Sequence, residues 1–77
     1  MKLTEVKKNS FVKLKYFDKN FLNNEFIQHL FDSGILPNSR VYIFEISESQ
    51  NKIILKMNHS LLAIRYSDAK FIEVENE

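Results

Sequence analysis

A chain of 77 residues with 11 Lys and Arg against 10 Asp and Glu, net charge +1, has room for one domain and too little excess positive charge for a dedicated phosphate-backbone binder. Apolar residues make up 44% and include seven Phe and three Tyr, enough for a core in a domain of a size that buries roughly 60% of its unfolded surface. The absence of cysteine excludes a disulfide framework, a thiolate metal site and a redox pair, and fits a reducing, cytoplasmic location.

Met1 to Lys8 carries positive charge with no apolar stretch or small-residue cleavage site behind it, so it is expected to be mature protein. Phe11 to Phe17 alternates, with Val12, Leu14 and Tyr16 on one face and Lys13 and Lys15 on the other, which predicts a half-buried strand. After the polar connector Asp18-Lys19-Asn20, residues Leu22, Phe26, Ile27, Leu30 and Phe31 recur at helical spacing. They predict one α-helix over about residues 23–33, with Asn23 or Asn24 capping its start.

The only glycine, Gly34, follows that helix, and the only proline, Pro37, comes three residues later. A residue without Cβ adopts the left-handed geometry that closes a helix, Ile35 can then fold back on the last turn, and proline forbids continuation. Gly34 and Pro37, with Asn38, form the structural hinge between the helical and the β-rich parts of the chain.

Beyond the hinge, Arg40 to Ile46 is apolar on both faces, with Val41 and Ile43 opposing Tyr42, Phe44 and Ile46. One face must meet the core and the other must be covered by the helix, by curvature or by a partner. Across the polar turn Ser47 to Asn51, Lys52 to Met57 completes a hairpin, with Ile53, Leu55 and Met57 against Lys52, Ile54 and Lys56. Asn58-His59-Ser60 and Ser67 to Lys70 are read as turns bounding strands Leu61 to Tyr66 and Phe71 to Val74, and Glu75 to Glu77 as a frayed tail. About five short antiparallel strands with one helix between the first and second predict a mainly β, single-domain SH3-like barrel over residues 1–77, closed or nearly so. Closure removes the open edges that invite aggregation. No apolar run approaches the ~20 residues of a membrane span, so no direct membrane insertion is expected.

No constellation of residues specifies a reaction, and the chain is read as non-enzymatic. Its serines sit at element boundaries, where caps and turns explain them, and a single glycine excludes a glycine-rich phosphate loop. His29 shares a helix face with Glu25 and Asp32, a triplet whose ordinary reading is a solvated surface. His59 stands alone in a turn, so no metal or cofactor is assigned.

What remains is surface for binding. Lysines crowd the first twenty residues and acids the last ten, and termini brought together let the two groups neutralise each other. Tyr42, Phe44 and Ile46, with Lys13 and Lys15, are the candidate partner-binding residues, because the chain holds more large apolar side chains than a small barrel interior needs. A monomer is expected. The competing possibility is single-stranded nucleic acid, held by Lys13, Lys15, Tyr16 and Phe17, although none is expected as the partner.

The stretch Leu30 to Ser39 followed by Val41-Tyr42-Ile43, and later Leu61 to Arg65, Asp68-Ala69 and Ile72-Glu73-Val74, resembles the FeoA family. Leu3-Thr4-Glu5-Val6 and Tyr16-Phe17 sit where that family has its first turn and first strand. Asn38 stands where the family pattern has a second glycine, and asparagine is the next-best residue for a left-handed turn. The loop Ser47 to Asn51 is shorter than in relatives. The resemblance implies an SH3-like barrel without catalysis of its own: a cytoplasmic adaptor that binds and stabilises or regulates FeoB, the membrane permease of ferrous iron uptake. The same barrel occurs in iron-dependent repressors of the DtxR type, which makes a stand-alone relative of that domain the other family-level reading.

Overall fold

The computed structural model describes residues 1–77. A 3-10 turn at Leu3–Glu5 precedes β1 (Phe11–Phe17), α1 (Asn24–Asp32), β2 (Arg40–Ser47), β3 (Lys52–Met57), β4 (Ser60–Ile64), α2 (Tyr66–Ala69) and β5 (Ile72–Asn76). The strands form one antiparallel sheet in the order β4-β3-β2-β1-β5. Its inner face carries Val12, Leu14, Val41, Ile43, Ile53, Leu55, Ile64, Ile72 and Val74, all buried, and α1 adds Ile27 and Leu30 to the same core. No polar or charged residue is buried there.

The hinge has the geometry expected of it. Asn23 Oδ1 accepts from the Phe26 amide at 2.7 Å and caps the start of α1. At the other end Gly34 has φ +86°, the Gly34 amide donates to the Phe31 carbonyl and the Ile35 amide to that of Leu30. These are the paired bonds of a Schellman motif, and they seat Ile35 in the core. Leu36 to Ser39 then turns with Pro37 and Asn38 (φ +73°) at the centre, a type II arrangement closed by the Ser39 amide on the Leu36 carbonyl. The Asn38 amide donates to the Leu14 carbonyl at 2.7 Å, which locks this turn against β1. Asparagine also takes positive φ at Asn9, Asn51 and Asn58, work that other chains give to glycine.

Three sequence expectations are corrected. A bulge between Leu14 and Tyr16, where β1 pairs with β5, reverses the alternation, so Tyr16 faces out (54% exposed) and Phe17 faces in (7%). The fourth strand ends at Ile64, and Tyr66–Ala69 is a helical turn, held by the Arg65 side chain on Asp68 at 2.8 Å and by complete burial of Ala69. The tail is paired rather than frayed: Asn76 lies opposite Val12, and the Glu77 amide reaches the Phe11 carbonyl. The small SH3-like barrel expected from sequence is present, open along the seam where β4 and β5 do not pair. The outer edge of β5 is covered instead by the N-terminus, through a bridge between Lys2 and Glu73 and a bond from the Val74 amide to the Met1 carbonyl.

Candidate partner-docking face

Alternation fixes what the outer face of the sheet presents. With Val12, Val41, Ile43 and Leu55 turned inward, Phe11, Lys13, Arg40, Tyr42 and Lys56 must turn outward. The register places Phe11 beside Tyr42, Tyr42 beside Lys56 and Lys56 beside Leu61, a row crossing four strands. Phe44, two residues after Tyr42, also faces out, and a second bulge between Ile43 and Glu45 leaves it unpaired and reverses the phase of β2 beyond it. Neither helix lies over this face: Phe44 is 45% exposed, Phe11 41% and Leu61 57%.

Phe11 and Tyr42 meet edge-on with ring centroids 5.0 Å apart, and the Arg40 guanidinium lies 3.9 Å over the Phe11 ring. The Tyr42 hydroxyl donates to Asn9 Oδ1 at 3.1 Å, tying the aromatic pair to the loop after Lys7 and Lys8. Phe11, Tyr42, Phe44, Lys56 and Asn58 line a cleft of about 450 Å³.

Of the residues singled out from sequence, Tyr42, Phe44, Lys13 and Lys15 share this face, and Ile46 does not. The bulge at Phe44 returns Ile46 to the inner side opposite Ile53, where it packs against the core. Lys15 is paired with Glu75 at 3.6 Å. Phe17, named for nucleic-acid contact, is buried. Phe11, Arg40, Lys56 and Asn58 belong to the face but escaped sequence reading. The phase of β1 already put Phe11 on the same side as Lys13, which was the available signal.

Neutralisation between the two ends of the chain is partial. Met1 and Lys2 pair with Glu73, and Arg40 lies 3.5 Å from Glu77. The hydrogen bond from the N-terminal amine, reinforced by Lys2, holds the Glu73 carboxyl below its ordinary value. Lys7, Lys8, Lys13 and Lys56 make no ion pair. His29, Glu25 and Asp32 are exposed on α1, with Asp32 accepting from Gln28 Nε2 at 2.9 Å, and no three His or acidic side chains gather as a metal cage. No helix is long and apolar enough to cross a membrane.

An open five-stranded antiparallel barrel with one helix after its first strand and an uncovered aromatic outer face defines a small SH3-like barrel domain. The chain belongs to the FeoA family: the FeoA domain model matches residues 1–76. This family is accessory to ferrous iron transport and non-catalytic. Among solved structures, the FeoA protein from Chlorobium tepidum superposes with TM-score 0.86 at 21% identity, covering 99% of this chain and 70% of that one. A FeoA-like protein from Clostridium acetobutylicum gives 0.76 at 28% identity, covering 99% and 85%. A manganese-dependent transcriptional repressor gives 0.85 at 13% identity, covering all of this chain and 41% of the repressor, so the fold is shared with a domain of metal-dependent regulators. A search of curated proteins finds no significant match.

Proposed function

We propose that this protein is a cytoplasmic adaptor of ferrous iron uptake that docks on the cytoplasmic side of a FeoB-type permease and stabilises or regulates it. Membership of the FeoA family over residues 1–76 carries this reading. The outer sheet face supports it, because large aromatic side chains that a core has not absorbed are the anchors protein interfaces use. The mechanism is binding alone: the barrel presents Phe11, Tyr42 and Phe44 on a rigid sheet, with Lys13 and Lys15 at the side.

The test is co-purification of this chain with full-length permease in detergent at low and at high salt. Retention that survives high salt supports docking through apolar surface. Loss at both salts, with the chain shown to be folded, refutes the adaptor reading. Binding to single-stranded DNA that collapses steeply with salt favours the nucleic-acid alternative instead.

A further inference from the structure

The outer-face cleft has a chemistry more specific than exposed apolar surface. It is a shallow cleft lined by Phe11, Tyr42, Phe44, Lys56 and Asn58, and its volume of about 450 Å³ takes one large side chain with its neighbours. Its surroundings are basic. Lys56 is part of the lining and Lys13 stands on the same face two residues along β1 from Phe11, whereas Lys7 lines a separate cleft with Glu5 and Glu77. Neither Lys56 nor Lys13 makes an ion pair within the chain. The carboxylates nearest in register are each paired: Glu75, opposite Lys13, with Lys15, Glu77 with Arg40, and Glu45, beside Phe44, with Lys52. No acidic residue lines the cleft.

We propose that this cleft binds an acidic peptide segment of the partner, seating one aromatic or leucine side chain between Phe11, Tyr42 and Phe44 while flanking carboxylates meet Lys13 and Lys56. The inference deepens the adaptor reading and rests on it for the identity of the partner, not for the chemistry of the site. An unpaired Lys56 in a lining without a carboxylate selects an acidic occupant, and the aromatic lining selects an apolar side chain at its centre. A nucleic acid fits less well, since base stacking requires open ring faces and one face of Phe11 is already taken by Arg40.

The experiment is a titration of isotope-labelled full-length chain, followed by NMR, with a short peptide of Glu and Asp around one central Phe. Parallel arms use the same peptide with Lys for the acids, an oligo-dT strand, and vesicles of phosphatidylglycerol in phosphatidylcholine. Resonances of Phe11, Tyr42, Phe44, Lys56 and Asn58 are expected to move with the acidic peptide alone. Lys56→Glu and Phe44→Ser are each expected to weaken that binding by about tenfold while the spectrum stays dispersed. Shifts at these residues with oligo-dT or vesicles, and none with the peptide, overturn the proposal. Permease retention that is unchanged by both variants overturns this cleft as the docking site and leaves the adaptor reading standing, whereas failure of wild-type retention refutes that reading itself.

Discussion

Asn51, in the loop between β2 and β3, accepts a hydrogen bond from the Ser67 amide at 2.9 Å and so caps α2 from sixteen residues away. The residue at the N-cap position itself, Arg65, has no capping side chain, and Asn51 holds φ +53° to make the contact. Asn51→Gly keeps that backbone conformation and removes only the cap. It is expected to destabilise the fold by about 1 kcal/mol in urea unfolding, with Asn51→Val costing more because it adds strain at positive φ.

Gly34→Val is expected to be severe. Its φ of +86° resists a β-branched residue, and any Cβ there comes within 3.0 Å of the Met57 methyl group. A loss of about 2 kcal/mol, or roughly 10 °C in Tm, is expected in thermal unfolding. An unchanged Tm refutes the cap.

Stability should also report the Glu73 ion pair through its pH dependence. Because the folded state holds this carboxyl below its ordinary value of 4.5, the pair stabilises the protein above that pH and loses its contribution as pH falls through the folded-state value. Glu73→Gln is therefore expected to be less stable than wild type at neutral pH and to converge with it in acid. Parallel stability curves across that range contradict the assignment.

Phe44→Ser is expected to leave folding within about 0.5 kcal/mol of wild type and to abolish permease retention, because the ring is half exposed at a bulge rather than packed in the core. Ile46→Ser provides the contrast. It packs against the core, so it should lower Tm first.

Much of this fold was legible because local signals and tertiary structure agree. The Asn23 cap, the helical spacing of Ile27 and Leu30, Gly34 and Pro37 each name their own conformation, and Tyr42 and Phe44 were separable from Val41 and Ile43 by phase alone. The misreadings share one cause. The bulges at Leu14/Tyr16 and Ile43/Glu45 arise from pairing with strands distant in sequence, so nothing local marked that Phe17 turns in and Tyr16 out, or that Ile46 rejoins the core. The second helix was hidden for the same reason, since its cap comes from Asn51. The basic side of the docking face was visible only in part. Lysine positions are in the sequence, but which of them lack a carboxylate depends on how β5 and the N-terminus meet.

The central claim is that the outer sheet face meets the permease, and site-specific photocrosslinking in cells producing both proteins tests it most directly. A benzophenone amino acid placed at Phe44 is expected to crosslink to the permease, and one placed at Glu25 on the exposed side of α1 is not. Crosslinking from position 25 with none from position 44 would contradict the account.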